Sequence, residues 1–303
     1  MDVDKVRYFF IAFLCFGMII GCKQQEVPKN SSELKSDIQE RLQELEGDFA
    51  VAFKNIDDSS QSVLINEREM FHAASTMKTP VMIELFKQAE AGQFSLDDSI
   101  EVKNEFRSIV DSSRYQMDIS EDSEGELYKK VGKKRTIRRL IDDMITMSSN
   151  LATNILIEKV GAQNVTQTMR SYGADSIKVL RGVEDIKAYE RGLSNRTTVL
   201  DESIIYVRLG RGQAVSEEAS KEMIEILKQQ KFNEMIPAKL PNNVEVAHKT
   251  GWITGVQHDS GLVILPDGRK YVLVLLSKNA PNRENVISAF ADISNLIYKF
   301  VTQ

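Results

Sequence analysis

The chain has 303 residues, a formal net charge of −5 and few glycines and prolines, which is ordinary globular composition. This length allows one large domain, or two closely packed ones, with an extensive core. The mild acidity argues against nucleic acid as a partner, because proteins that bind polyanions usually carry an excess of basic residues.

The N-terminus has the features of a lipoprotein signal sequence. Two basic residues precede an apolar run from Tyr8 to Ile20, which is too short to span a bilayer and suits a signal peptide. Gly21 and Cys22 follow, and this ending resembles a bacterial lipobox, in which the cysteine becomes lipidated. We therefore predict a signal peptide over 1–21, a lipid on Cys22 and a linker over 22–30. The alternative is a short uncleaved membrane anchor.

This leader predicts the compartment. We expect an exported protein of the bacterial cell envelope that contacts the membrane through its N-terminal lipid only, on the periplasmic or outer-surface side. The two cysteines, Cys15 and Cys22, both lie in the leader, and only Cys22 remains after processing. The processed chain therefore cannot form an intrachain disulfide.

The rest of the chain, 31–303, opens with a helix and two strands. Asn30 and Glu33 can form a capping box before an apolar repeat at helical spacing. Alternating apolar residues then predict a strand over 48–54. A polar turn leads to a second short strand at 63–65.

The middle of the chain is predicted to be helical. Apolar residues cluster over 81–86, 137–147 and 151–160. The acidic segment 118–126 lacks the regular ligand spacing of a calcium site, and we predict a solvated loop there.

Strand patterns return near the C-terminus. They predict strands over 244–248, 261–265 and 271–276, with a hairpin turn at 266–269 between the last two. A closing helix follows, with apolar residues at helical spacing from 286 to 300. The two ends of the chain therefore offer helices and strands that could share one sheet.

Three short motifs carry the residues of serine chemistry. Ser75 and Lys78 form S-x-x-K, and positions three apart share one helix face, so the amine can lie beside the hydroxyl that needs a base. The triplets 148–150 (Ser-Ser-Asn) and 249–251 (Lys-Thr-Gly) follow. Each motif alone is a weak signal. Their order and spacing together match the signature set of class A β-lactamases and penicillin-binding proteins.

The chain thus resembles the penicillin-recognising serine enzymes, and within them the class A-like serine hydrolases. The resemblance covers nearly the whole mature chain. It implies an α/β (α+β) fold, with an antiparallel five-stranded sheet flanked by helices and an all-helical part beside it. We place the α/β part in 31–75 and 201–303 and the helical part at about 76–200, with the active site between them.

The resemblance also implies a role for each catalytic residue. Ser75 would attack the lactam carbonyl and form an acyl-enzyme, and Lys78 would help remove its proton. Ser148 would relay a proton to the departing lactam nitrogen, and Asn150 would bind the substrate's side-chain amide.

The third motif is expected to bind the substrate. Lys249 and Thr250 would meet its carboxylate, and Gly251 would leave room for the acyl group. The backbone amides of Ser75 and Trp252 would form the oxyanion hole, where developing charge gains most from fixed donors.

The sequence departs from the family pattern twice. Ser149 replaces the aspartate of the second motif, a residue that is mostly structural in the family. Class A enzymes release the acyl group through a glutamate in a loop that usually reads E-x-x-L-N. Glu184 lies at about the right place, but Lys187 and Ala188 replace the Leu and Asn. Glu184 is therefore either the deacylating base or a loop carboxylate paired with Arg181.

The histidines do not indicate a metal site. His72, His248 and His258 show no metal-binding spacing, and His72 and His248 flank the first and third motifs, where they could brace the cleft. We expect no metal, no other cofactor and a monomer.

Several functions share these residues. The leading hypothesis is a serine β-lactamase that hydrolyses its acyl-enzyme. The alternatives are a penicillin-binding or sensing protein with slow deacylation, an esterase or peptidoglycan peptidase acting on a peptidoglycan-like peptide, and a lipoprotein that keeps the fold without activity.

Overall fold

The structure is a computed structural model that describes residues 27–303. The predicted signal peptide, the predicted lipid attachment at Cys22 and most of the predicted linker lie outside the described residues. Among the residues described, no helix is long and apolar enough to cross a bilayer.

Helices open and close the described part of the chain and make up most of its middle. Between residues 27 and 303 the α-helices are α1 (Ser31–Gln43), α2 (Lys78–Glu90), α3 (Ile137–Thr146), α4 (Asn150–Val160), α5 (Ala162–Ser171), α6 (Ile186–Glu190), α7 (Val199–Gly210), α8 (Glu217–Leu227) and α9 (Arg283–Val301). A 3-10 helix, Ala74–Met77, leads directly into α2.

The long strands follow the first of these helices and precede the last one, and short paired strands lie between them in the chain. Across residues 27–303 the strands are β1 (Asp48–Asn55), β2 (Ser62–Ile65), β3 (Phe71–His72), β4 (Ser99–Glu101), β5 (Phe106–Arg107), β6 (Arg114–Tyr115), β7 (Lys134–Thr136), β8 (Arg196–Thr197), β9 (Glu245–Ile253), β10 (Val256–Ile264) and β11 (Lys270–Lys278).

One antiparallel sheet organises the molecule. Its strands lie in the order β2–β1–β11–β10–β9, so the two ends of the chain meet where β1 pairs with β11. The predicted fold class is confirmed. The last three strands are longer than predicted, because buried polar residues such as Lys249 and His258 continue strands whose apolar pattern has already stopped.

Both faces of the sheet are covered. Successive side chains of a strand point to opposite faces, and alternate residues of β11 accordingly enter two different cores. One set packs with α1 and α9, and the other packs with the helical part. The first set is Tyr271, Leu273 and Leu275, and the second set is Val272, Val274 and Leu276.

The helical part is built around α2. Its residues 81–86 are all buried, which is the pattern of a central helix covered on every side. The block that was predicted to be all-helical also contains short strand pairs, β4 with β7 and β5 with β6. These pairs connect and cover the helices and do not change the architecture.

A buried carboxyl group joins the helical part to the sheet behind Ser75. Glu202 of α7 is hydrogen-bonded to Thr76 Oγ1 at 2.5 Å and to Ser260 Oγ of β10. Burial raises the pKa of this carboxyl from 4.5 to about 7. Glu202 therefore takes up a proton on folding near pH 6, when it would be ionised in the unfolded chain.

This proton uptake predicts how stability depends on pH. The folded state binds the extra proton between about pH 4.5 and 7, so the free energy of unfolding falls as the pH rises through that window, by up to about 3 kcal/mol from this group. In Glu202→Gln this part of the pH dependence is removed. Urea unfolding at pH 5 and pH 8 measures it, with the exposed Glu218→Gln as control. Identical pH dependence in Glu202→Gln and the wild type would contradict the prediction.

Candidate active site

The predicted nucleophile lies at a constrained turn. Ser75 is half-buried in the 3-10 helix, directly after Ala74, whose φ of 45° is unusual for a residue with a side chain. His72 Nδ1 accepts a hydrogen bond from the Ala74 N–H at 3.0 Å, and Thr76 Oγ1 donates to the Ala73 carbonyl at 2.7 Å. These bonds hold the turn and so fix the position of the Ser75 hydroxyl.

Lys78 points into the protein towards the second motif. Its fully buried amine donates to the carbonyl and the hydroxyl of Ser148 at 2.7 and 3.2 Å, and to Asn150 Oδ1 at 3.0 Å. Within the part of the chain that is described, none of its hydrogen bonds reaches Ser75 Oγ. Burial lowers the pKa of Lys78 to about 7, although the carboxylates of Asp122 and Glu184 oppose the shift. The amine is therefore partly neutral near pH 7, and a neutral amine can accept a proton.

Ser148 links both lysines. Its hydroxyl oxygen accepts a hydrogen bond from Lys78 Nζ and another, at 3.1 Å, from Lys249 Nζ. Lys249 is fully buried and also donates to the Thr250 carbonyl at 2.8 Å. Burial holds the pKa of Lys249 well below its usual range, and the nearby Lys78 acts in the same direction. The first, second and third motifs, far apart in sequence, thus meet at one hydroxyl.

The third motif runs against the nucleophile. A Cβ on Gly251 would lie 2.9 Å from the Ser75 backbone nitrogen and 3.1 Å from that of Thr76. The glycine was expected to leave room for the acyl group. In the structure the atoms nearest to that space belong to the nucleophile segment, so the missing side chain lets β9 approach Ser75. Trp252 follows near the C-terminal end of β9, with 62% of its surface exposed.

Glu184 faces the second motif. Its carboxylate accepts hydrogen bonds from Asn150 Nδ2 at 3.0 Å and from the Asp118 N–H at 3.2 Å. Burial raises its pKa. The alternative that pairs Glu184 with Arg181 is wrong, because the Arg181 guanidinium donates to the carbonyls of Gly182 and Leu193. The side chain of Asn150 therefore bridges Glu184 and Lys78.

An asparagine that the sequence analysis did not single out holds the backbone before Glu184. Asn154 Oδ1 accepts from the Val183 N–H at 2.6 Å, and its Nδ2 donates to the Val183 carbonyl at 3.0 Å. Asn154 lies one helical turn after Asn150 on α4. The spacing of four between these asparagines, which places them on one helix face, was the signal that could have identified it.

The acidic segment 118–126 is more than a solvated loop. Much of it is exposed, as predicted, but Asp122 is half-buried against the start of α4. Its carboxylate accepts hydrogen bonds from the N–H groups of Asn150 and Leu151, at 2.9 Å in each case. Asp122 of this segment thus contacts the second motif. Asp118 of the same segment contacts Glu184.

The histidines brace the structure around the motifs. His248 lies between Asp259 and Asn233, with ring nitrogens 2.8 and 3.0 Å from their side-chain oxygens. Burial lowers the pKa values of His72 and His258 to about 4. Across residues 27–303, histidines, cysteines and carboxylates form no group of three or more that could hold a metal ion.

Comparison with known proteins gives matches along nearly all of the described residues. Residues 33–301 match the model of the beta-lactamase enzyme family. A beta-lactamase of Bacteroides uniformis is 25% identical over 320 aligned positions, which cover 97% of this chain and 99% of that protein.

Solved structures share the fold. The beta-lactamase of Sphaerobacter thermophilus superposes with a TM-score of 0.74 at 23% identity, covering 89% of this chain and 97% of the other. An acyl-enzyme complex of a PBP-A variant with penicillin G superposes with a TM-score of 0.76 at 24% identity, covering 91% and 98%. With a family match along nearly all of the described residues and three motifs that meet at Ser148, this chain belongs to the beta-lactamase enzyme family.

Proposed function

We propose that this protein is a class A-type serine β-lactamase that opens penicillins and cephalosporins through an acyl-enzyme on Ser75. One observation carries the proposal. Two buried lysine amines, Lys78 and Lys249, donate to the same Ser148 hydroxyl at 3.2 and 3.1 Å, beside the segment that carries Ser75. Such an arrangement offers both a base for a serine nucleophile and a path for its proton.

The proposed acylation step uses the hydrogen bond between Lys78 and Ser148, and it requires the Lys78 amine to reach Ser75 Oγ. Neutral Lys78 accepts the Ser75 proton while Ser75 Oγ bonds to the lactam carbonyl carbon. The lactam C–N bond then breaks, and Ser148 gives its proton to the nitrogen and regains one from Lys78 along their hydrogen bond. The net result is an ester on Ser75 and an N–H on the opened ring. The backbone amides of Ser75 and Trp252 are the proposed donors to the carbonyl oxygen in this step.

The same pocket accounts for substrate binding. Lys249 and Thr250 offer an amine and a hydroxyl as hydrogen-bond donors to the substrate's carboxylate, and Lys249 also contacts Ser148. Asn150, which already bridges Lys78 and Glu184, offers its amide to the substrate's side chain. Exposed Trp252 provides an apolar wall at the mouth of the cleft.

Glu184 is the proposed base for deacylation. It is the carboxylate joined to Lys78 through Asn150, and burial raises its pKa towards the range in which a carboxylate removes a proton from water effectively. The hydroxide formed attacks the acyl carbon, the ester C–O bond to Ser75 breaks, and the Ser75 oxygen takes up the proton that Glu184 removed from the water. Water is therefore consumed once in each turnover.

Slow deacylation is the second candidate, and two observations favour it. Both carboxylate oxygens of Glu184 already accept hydrogen bonds, from Asn150 and Asp118. Lys187, which replaces the usual leucine, pairs with Asp111, and Ala188 has no polar side chain to hold a water. Such a protein would acylate on Ser75 and remain acylated, as a penicillin-binding or sensing protein does. A peptidase or esterase would use the same serine on a peptidoglycan-like peptide or an ester.

The cell envelope is the proposed location. The apolar run before Cys22 and the small residue next to it support export and lipidation. The membrane would then be contacted through the lipid alone, with the catalytic domain acting as a monomer on a small-molecule substrate.

Acylation is predicted to depend on Ser75. The wild-type chain should form a covalent adduct with a fluorescent penicillin, visible on a denaturing gel when the reaction is stopped by denaturation before the adduct is released. Ser75→Ala should form none, because it lacks the attacking oxygen, while Ser60→Ala in an exposed turn should label normally. Labelling that persists in Ser75→Ala would refute the assignment.

Release of the adduct is predicted to depend on Glu184. Glu184→Gln should acylate at a similar rate but lose its adduct at least about 100-fold more slowly, because general-base catalysis contributes about that much or more. An intact-mass time course separates the two steps, with exposed Glu190→Gln as the matched control. If Glu184→Gln releases its adduct as fast as the wild type, Glu184 is not the base. A lasting adduct on the wild type would favour the second candidate.

Lipidation is predicted to depend on Cys22. Expressed in full length in a bacterium, the wild type should enter the detergent phase on phase partitioning, whereas Cys22→Ser should not acquire lipid. Cys15→Ser is the control and should behave as the wild type. Equal lipid incorporation into all three proteins would exclude Cys22 as the attachment site.

A further inference from the structure

The carboxylate of Asp122 completes the start of α4. The Asn150 N–H lies 2.9 and 3.0 Å from its two oxygens, and the Leu151 N–H lies 2.9 Å from one of them. The first N–H groups of a helix lack partners within the helix and carry partial positive charge. A carboxylate therefore stabilises this end both by accepting their hydrogen bonds and by its negative charge.

Ser149 performs only part of this task. Its hydroxyl oxygen accepts the Ala152 N–H at 3.2 Å, as an N-cap does, and lies 3.5 Å from Asp122 Oδ2. A serine cap leaves the N–H groups of Asn150 and Leu151 without a partner and brings no charge. Asp122 supplies the acceptor oxygens for these two N–H groups and the negative charge, although it lies 28 residues before Asn150 in the sequence.

The loop around Asp122 is itself anchored. The Tyr128 hydroxyl donates to Asp122 Oδ2 at 3.0 Å, and the Ser123 hydroxyl donates to the Met147 carbonyl, one residue before Ser148, at 2.6 Å. The Glu124 carboxylate accepts the Leu127 N–H at 2.9 Å. The carboxylate is therefore held in place relative to the turn that carries Ser148.

Asp122 also acts on Lys78 through space. Asp122 and Glu184 both raise the pKa of the Lys78 amine against the effect of its burial. The third charged group that faces this amine is Lys249, whose own pKa is lowered by the presence of Lys78. Of the two carboxylates, Glu184 is proposed to titrate in deacylation, which leaves Asp122 as the partner with no catalytic step of its own.

We propose that Asp122 is a positioning residue of the active site. It holds Ser148 and Asn150 in place through the first turn of α4 and supplies, from the acidic segment 118–126, the negative charge that Ser149 lacks. This inference rests on the proposed acylation of Ser75, in which Lys78 acts as a neutral base.

Two substitutions separate the charge from the hydrogen bonds. Asp122→Asn removes the charge and keeps an acceptor oxygen, whereas Asp122→Ala removes both. Glu126→Gln is the matched control, because it removes one negative charge from the same segment, at a side chain whose ion-pair partner among residues 27–303 is exposed Lys129. The measurement is the rate of Ser75 acylation by a penicillin as a function of pH.

In the wild type the acylation rate should rise with pH as Lys78 loses its proton near pH 7. In Asp122→Asn this rise should move to lower pH, because the amine has lost a carboxylate that favours its charged form. Asp122→Ala should show the same shift and a plateau lower by about tenfold, a loss of about 1.4 kcal/mol in transition-state stabilisation. Glu126→Gln should match the wild type. If Asp122→Ala is acylated more slowly but its acylation rate rises over the same pH range as in the wild type, Asp122 is only a structural cap and the proposal is overturned.

A second readout does not require activity. Amide hydrogen exchange should be faster at Asn150 and Leu151 in Asp122→Ala than in the wild type, whereas Glu126→Gln should not change it. Unchanged exchange at these amides would overturn the proposal whether or not the protein reacts with penicillin. A wild type that is not acylated would count against the proposed function, and the exchange result would still decide the role of Asp122 at α4.

Discussion

The candidate active site depends on two buried amines that share one hydroxyl. Lys78 and Lys249 are both fully buried, and both donate to Ser148 Oγ. Removing an ammonium group from water costs several kcal/mol unless neighbouring groups compensate. Asp122 and Glu184 supply part of this compensation for Lys78. The balance brings an ordinarily strong base into the range where it can exchange protons at neutral pH.

The rest of the fold keeps these groups in place. Three residues with side chains adopt positive φ angles close to the site: Ala74 at 45°, Ser148 at 57° and Glu184 at 60°. Such conformations cost of order 1 kcal/mol or more each and persist where the surroundings determine them. His72 binds the Ala74 N–H, Lys78 binds the Ser148 carbonyl, and Asn150 binds the Glu184 carboxylate. Strain at the site is thus offset by hydrogen bonds from neighbouring elements.

Much of the architecture could be predicted because it is encoded locally. Capping at Asn30 and apolar periodicity identified the first and last helices, and alternation identified the strands of both chain ends. Prediction was weaker where polar residues are buried. β9 extends to Ile253 because Lys249 and Thr250 are satisfied inside the protein, which an apolar pattern does not reveal. The contacts of Asp122 were missed for the same reason, since an acidic run resembles a solvated loop until its partner is known.

The sequence by itself determined which residues have the chemistry of this site. Three motifs predicted Ser75, Lys78, Ser148 and Lys249 as site residues, because spacing along a helix or strand is a local property. The tertiary structure alone decided what surrounds them: that Lys78 bonds to the second motif, that Glu184 meets Asn150 and not Arg181, and that Asp122 caps α4. These contacts join residues 28 to 72 positions apart in the sequence, as from Asp122 to Asn150 and from Lys78 to Asn150. Burial and charge at such contacts arise only when the chain is folded, and they decide which of the encoded groups can react.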